Sequence, residues 1–286
     1  MFYPDDPEKC RALASKFVQT GREELGKSGP ADRKWLGGVV PHAGWICSGA
    51  IAGQTIAAVA ASVPSPDVVV VFGAIHSPVQ TEVAALDSHG TWRVPGGDSR
   101  QPEEVERRLS ESPSLFAIDD RFHLHEHAVE VELPLIQQAW PNAAVLPIEV
   151  PVLENAVEIG VETATKIRQA GLAAVYLASS DLTHYGPNYR FTPMGVGQAA
   201  LDWAKENDRR LLTLVTDMRA EQVVPEVRQN LNACGAGAIA AMLGACREMG
   251  ASRGEILRHA NSCDTLADVA PQRPDNAVGY ASVVIG

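Results

Sequence analysis

The sequence predicts a single α/β domain with a mostly parallel or mixed central sheet flanked by helices. Three observations carry this. Short apolar runs rich in β-branched residues, such as Val68-Val69-Val70-Val71-Phe72-Gly73-Ala74-Ile75, read as strands buried on both faces. These runs alternate with segments of helical periodicity, the pattern of a sheet built with crossover helices. Three of the runs stop on a histidine, at His42, His76 and His184. In open α/β sheets ligands bind beyond the carboxyl ends of the strands, so these imidazoles are delivered where chemistry can occur.

Taken in order, residues 7–26 carry Cys10, Leu13 and Phe17 at helical intervals, with Gly26 and Gly29-Pro30 as stop signals. They predict an amphipathic helix inside an N-terminal extension over 1–34, ahead of a core over 35–286. A strand over 36–40 leads to the loop Pro41 to Gly49, whose small residues permit close approach of backbone or ligand. An alanine-rich buried helix is expected at 50–61, and the strand at 68–75 then delivers His76. Glu82 to Gly96 alternates weakly around Asp87-Ser88-His89-Gly90 and reads as a hairpin or a pair of edge strands. Residues 102–111 are charged enough for an exposed helix.

The stretch His123 to Pro134 has two readings. As a strand it aligns three histidines on one face; as a helix start it puts His127 and Glu130 three apart on one side. Its continuation through Leu133, Leu135, Ile136, Ala139 and Trp140 favours the helix, with Pro134 near its beginning or at a kink. A strand at 144–150 contains Pro147, which points to an edge or a bulge. A helix over 154–170 and a strand at 173–178 follow. Long helices are expected at 195–215 and 235–250, separated by an acidic polar stretch around Asp217 to Gln229, and a last strand at 277–285 returns to the sheet. Pro64-Ser65-Pro66 and Pro271-Gln272-Arg273-Pro274 are short enough to be loops.

The 286 residues are 45% hydrophobic and 21% charged, with no low-complexity tract, which suits one large globular domain. A formal charge of −11 repels a nucleic-acid backbone, and no basic cluster offsets it. The start, Met1-Phe2-Tyr3-Pro4, lacks a signal-peptide pattern, and no apolar stretch reads as long enough to span a membrane. A soluble cytoplasmic protein acting on a small molecule is expected, with neither nucleic acid nor membrane as partner. Five scattered cysteines without a CxxC pair read as buried thiols in a reducing compartment.

His42, His76, Asp181, His184 and Cys234 can each bind a metal or move a proton, and all lie at predicted ends of core elements. Each also has a plainer reading. A strand-end histidine can be a structural hydrogen bonder, Asp181-x-x-His184 can cap a turn, and Cys234 can be a small core residue. What favours chemistry is their coincidence at one sheet edge. Cys234 also precedes a predicted helix, whose backbone dipoles bias a thiol toward thiolate. His89, His123, His125 and His259 read as surface or loop residues. Glu126, His127 and Glu130 are either a solvated helix start or a lining of the site, and Trp45 and Tyr185 are further candidates for that lining. No G-x-S-x-G elbow supports a serine hydrolase, and Gly235-Ala236-Gly237 lacks both the third glycine and the preceding strand of a dinucleotide fingerprint. Two imidazoles plus a third protein ligand, with coordination positions left open, fit a reactive mononuclear metal.

At these residues the chain resembles the Memo family, which includes the mediator of ErbB2-driven cell motility and AmmeMemoRadiSam system protein B. The resemblance rests on Pro41-His42-Ala43-Gly44, Phe72-Gly73-Ala74-Ile75-His76, Glu126-His127-Ala128-Val129-Glu130, Ser179-Ser180-Asp181-Leu182-Thr183-His184-Tyr185-Gly186 and Cys234-Gly235, and covers about 35–286. It implies a fold related to the class III extradiol ring-cleaving dioxygenases, which hold non-haem Fe(II) on two histidines and a glutamate. By that resemblance His42 and His76 are imidazole ligands, Cys234 takes the third position, His184 is the acid/base histidine and Asp181 lines the pocket. Thiolate in place of carboxylate softens the site and shifts preference toward copper or zinc. Open coordination positions matter more than the identity of one ligand, so Fe(II) is expected first, copper second and zinc third. The implied activity is a dioxygenase-like oxidoreductase acting on a catechol-like aromatic. The alternatives are a zinc-dependent hydrolase and a non-catalytic peptide-binding adaptor. The resemblance also suggests a radical-SAM protein as partner, and the apolar C-terminal helices could supply a homo-oligomer interface.

Overall fold

The computed structural model describes residues 2–27, 34–78, 80–271 and 273–286. Helix α1 spans Pro7–Lys27, strand β1 Gly37–Val40, α2 Trp45–Ser62 and β2 Val68–Ala74. Then come β3 (Ala84–Leu86), the hairpin β4 (Thr91–Val94) and β5 (Gly97–Arg100), α3 (Glu103–Ser110) and β6 (Phe116–Ile118). Two 3-10 turns, Asp120–Phe122 and Glu130–Glu132, precede α4 (Leu133–Ala139), β7 (Ala144–Val150), α5 (Ala156–Gln169), β8 (Ala174–Ser179) and the short β9 (His184–Tyr185). A 3-10 turn at Pro187–Tyr189, α6 (Gln198–Thr216), α7 (Ala220–Asn230), α8 (Ala236–Glu248), β10 (Gly254–Asn261), α9 (Ser262–Thr265) and β11 (Ala277–Ile285) complete the chain.

The main sheet runs β10-β11-β1-β8-β2-β7-β3-β6, with β9 pairing on β11. Its centre, β1-β8-β2-β7, is parallel, while β11 pairs antiparallel to β1 and β3 antiparallel to β7. The sheet is therefore mixed, and the molecule is a single α/β domain of the kind expected for an extradiol dioxygenase-like fold. Alternate strand residues feed two cores. Val68, Val70 and Phe72 pack with Leu146, Ile148 and Tyr176 against α5 to α8, whereas Val69, Val71 and Val175 pack against α1, α2 and α4. This period-2 division explains why the apolar runs are continuous: both faces are covered.

The topology positions the site. Strand β8 lies between β1 and β2, with Val40 opposite Ser179 and Phe72 opposite Ala178. Three parallel neighbours therefore end together, and the residues two beyond each end are His42, His76 and Asp181. A bridge between Leu182 and Ala233 brings Cys234 to the same edge.

Several expectations need correction. Helix α2 begins at Trp45, five residues before the expected 50, because Gly44 and not the later glycine is its entry point. It is also apolar over 18 residues, so one stretch does reach the length that could span a membrane; 72% of it is buried between α1 and the sheet, as a core helix. The stretch from 123 turns helical only at the 3-10 turn Glu130–Glu132, which runs into α4 at Leu133, and Pro134 is accommodated in the first turn of α4, where its missing N–H costs nothing. Pro147 is in an interior strand without a bulge. On the β3 side pairing reaches only Ile148 and Glu149, so no donor is required of it there. The polar stretch around 217–229 folds as α7, and β6 and β10 were not anticipated. The stop signals Gly29-Pro30 and residue Gln272 lie outside the described residues.

Candidate metal centre

His42 is buried, and its Nδ1 lies 2.8 Å from the hydroxyl of Ser179, at the end of the neighbouring β8. That hydroxyl donates in turn to the Ala128 carbonyl, so it accepts from His42, and Nε2 is left carrying the lone pair. Burial first, then the neighbouring His76 and His127, push His42 well below the ordinary histidine value. A neutral imidazole with its far nitrogen free is the form a metal requires.

His76, which is exposed, is held twice by Glu126: its backbone N–H donates to Oε2 at 2.6 Å and its Nδ1 lies 2.8 Å from Oε1. The same carboxylate accepts the backbone N–H of His127 at 2.8 Å and lies 3.2 Å from the His127 Nδ1. Burial opposes ionisation of Glu126, but the hydrogen bonds from His127 and His76 outweigh it and hold the carboxyl well below its usual range. One buried carboxylate thus orients two imidazoles, as outer-sphere carboxylates do for metal-ligating histidines. His42, His76 and His127 each offer a ring nitrogen within 4.8 Å of the others. On its outer side His127 stacks on Phe2, with ring centroids 4.5 Å apart.

The Cys234 sulfur lies 3.2 Å from His42 Nε2 and accepts the Asp181 backbone N–H at 3.3 Å. Burial, and after it the Asp181 charge, raise this thiol well above its ordinary value. Burial thus works against the helix-dipole bias expected for this thiol, which precedes the cap residue Gly235 of α8. Asp181 takes the backbone N–H groups of His42 at 2.9 Å and Ala43 at 3.3 Å, and burial pushes it up to about 7 against those bonds. His184 directs Nδ1 to the Leu182 carbonyl at 3.0 Å, which leaves its Nε2 free; burial lowers its proton affinity. Its ring meets Tyr189 edge-on with centroids 5.1 Å apart. The segment is fixed from below by Asp208 of α6, which accepts the Thr183 N–H and pairs with His259, both at 2.9 Å.

Of the residues singled out in the sequence, His42, His76 and His127 bring their ring nitrogens together, Cys234 lies against His42 outside that group of three, and Asp181 holds the backbone of His42. Trp45 is buried and donates its indole N–H to Val131, and Tyr185 is buried with its hydroxyl on the Pro274 carbonyl. Glu130 is exposed and receives the Tyr3 hydroxyl. Glu126 and Ser179, which orient the imidazoles, carry no spacing signal that would have shown it, because their partners are 50 and 137 residues away. Of the histidines expected at the surface or in loops, His123 is in a turn but buried, and His259 lies in β10 against Asp208.

A family model described as Memo-like protein matches residues 1–284, which carries the likeness through the N-terminal segment as well as the core. A MEMO1 family protein of Methanococcoides burtonii is 32% identical over 254 residues, covering 87% of this chain and 86% of its own length. Those of Methanopyrus kandleri and Pyrococcus furiosus are 30% identical, cover 99% of this chain, and are themselves covered over 95% and 96% of their lengths. A match of this extent, running from Phe2 at the histidine cluster to the last strand of the sheet, leaves one conclusion: the chain belongs to the Memo family.

Proposed function

We propose that this chain is a mononuclear metal-dependent oxidoreductase acting on a small, catechol-like aromatic, with Fe(II) held by His42, His76 and Cys234. The observation that carries this reading is the 3.2 Å between His42 Nε2 and the Cys234 sulfur. Imidazole and thiolate ligands at roughly 2.0 and 2.3 Å from one ion stand about 3–3.5 Å apart, so the pair already has the spacing of two ligands. The donor set fits in its second layer too. Ser179 and Glu126 occupy the Nδ1 atoms of His42 and His76, which leaves both Nε2 atoms for coordination. His127 offers a further imidazole in the same group.

When bound, the ion supplies Lewis acidity toward a chelating phenol and redox chemistry with dioxygen. The chain's own residues do the rest. His184, neutral and with Nδ1 fixed on a carbonyl, presents Nε2 to take a phenolic proton and later return it. Asp181 pins the backbone at His42 and so fixes the direction of that imidazole. The partly exposed rings of Phe2 and Tyr189 flank His127 and His184, and such walls suit a flat aromatic.

The test is metal analysis of anaerobically purified protein together with oxygen uptake on adding catechols. Iron near one equivalent with catechol-dependent uptake is expected, and His184→Ala should abolish uptake while keeping the iron. Zinc without uptake would favour the hydrolase; a metal-free protein that binds peptide would favour the adaptor.

A further inference from the structure

A second cluster of ligating side chains lies at the other side of the sheet edge. Strand β3 runs antiparallel to β7, so Asp87, one residue past its end, leaves the sheet in the opposite sense from the strands that carry His42 and His76. Among the described residues, Asp87, His89 and Asp120 are the other group whose ligand atoms all fall within 4.8 Å of one another. His89 Nδ1 lies 2.7 Å from Asp87 Oδ1 and 3.9 Å from Asp120 Oδ1.

The surroundings of these groups are built. Asp87 is buried, and its Oδ2 is fixed by the Trp92 indole N–H and by the Gln101 amide at 2.7 Å, which leaves Oδ1 turned to His89. Asp120 is held through Ser88, whose N–H and hydroxyl donate to its two oxygens at 2.8 and 2.7 Å. His89 is on the outside, so an ion has an entry path.

Two buried acceptors on residues around the cluster lack a hydrogen-bond partner. Gln101, 7% exposed, has a buried Oε1 with no partner on the very amide that grips Asp87. His123, also 7% exposed, gives Nε2 to the Ala85 carbonyl at 3.2 Å, and its Nδ1 is buried without a partner. Burial lowers the proton affinity of this ring, against the opposing charges of Asp87, Asp120 and Asp119. A buried imidazole with one nitrogen on a backbone carbonyl and the other nitrogen free is the arrangement of a metal ligand or of an acceptor for metal-bound water. The negative charge is also crowded: besides burial, Asp87, Glu103 and Asp120 raise the Glu106 carboxyl, while the neighbouring Arg121 is engaged by Asp119 at 2.6 Å.

We infer that Asp87, His89 and Asp120 form a second metal site, for a divalent transition-metal cation of the Zn2+ or Mn2+ type, with Gln101 and His123 bordering it. One imidazole and two carboxylates suit such an ion better than they suit Cu(I) or an iron–sulfur centre.

The probe is Zn2+, titrated calorimetrically into wild type, His89→Ala, Asp120→Asn and His76→Ala after chelator treatment. His89 is exposed and Asp120 half-buried, and each variant's thermal midpoint in chelator shows whether it has kept the fold. Two equivalents are expected in wild type, and one in each second-site variant, with that site's affinity down 100-fold or more. Zn2+ should also raise the wild-type midpoint more than that of His89→Ala. If wild type binds one ion that is lost in His89→Ala and kept in His76→Ala, this site stands and the histidine–cysteine centre falls. Unchanged stoichiometry in both second-site variants, or one wild-type equivalent lost only in His76→Ala, overturns the second site.

Discussion

Glu126 and Glu149 are two buried carboxyl groups with opposite fates, and the difference lies in their partners. Glu126 accepts hydrogen bonds from His76 and His127 and is held ionised. Glu149, on β7, is fully buried with neither oxygen partnered, and its carboxyl lies against Gly73, where any Cβ would collide with it. Burial, and then the Glu126 charge, raise it well above its usual value. Glu126→Ala should release both imidazoles and weaken metal binding about 10–100-fold, measured by competition with a chelating dye. Glu149→Gln should stabilise the fold at neutral pH. Because the folded protein keeps a proton that the unfolded chain loses above the ordinary glutamate value near 4.5, wild-type stability from this group is full below that pH and falls as pH rises. The slope approaches about 1.4 kcal/mol per pH unit until the folded group itself ionises. Urea unfolding from pH 4 to 8 reads the difference: the variant should gain on wild type as pH rises and match it in acid. At this scale His42, His76, Asp181, His184 and Cys234 were legible because each ends an apolar run or opens a helix. Glu126 was left open between a solvated helix start and a lining of the site, and the roles of Glu149 and Ser179 were not legible, since nothing local distinguishes a carboxylate or hydroxyl that reaches across the fold from one that faces water.

Elements were legible where pattern and burial agree. The four central strands are apolar on both faces and were found within a residue or two. Helix α7, Ala-Glu-Gln-Val-Val-Pro-Glu-Val-Arg-Gln-Asn, was read as an acidic, polar connection from its composition, although Val223, Val224 and Val227 form its buried side. Strand β10 is half-buried along its length and paired on one side to β11, so neither a continuous nor an alternating apolar signal marks it. The segment from His123 to Val129 was read as the start of a helix because the apolar positions after it, Leu133 to Trp140, have helical spacing, yet it is held irregular by long-range bonds such as those of Glu126 to His76 and of His123 to the Ala85 carbonyl. Close packing of α5 on α8 gives a test at this scale. A Cβ on Gly160 would fall 1.8 Å from the Ala241 carbonyl oxygen, a backbone atom that cannot step aside. Gly160→Ala should cost about 1–3 kcal/mol in urea unfolding, despite the better helix propensity of alanine.

In the whole molecule, the order of strands brings distant residues together. With β8 between β1 and β2, three chain segments end side by side, and the Leu182–Ala233 bridge adds a fourth. The alternation of strands and helices foretold the parallel centre. It could not foretell that β11 and β3 close the sheet antiparallel, because direction depends on where the connections cross. Nor could it foretell that the N-terminal segment, seen as an extension, lays Phe2 on His127. The central claim is that one ion is shared by His42, His76 and Cys234. Cobalt(II) added to metal-free protein in a His89→Ala background tests it most directly. One equivalent should bind with a thiolate-to-cobalt charge-transfer absorption that disappears in Cys234→Ser, and binding should fail in His42→Ala and His76→Ala. Cobalt bound without that absorption, or retained when both histidines are replaced, would contradict a shared histidine–cysteine centre.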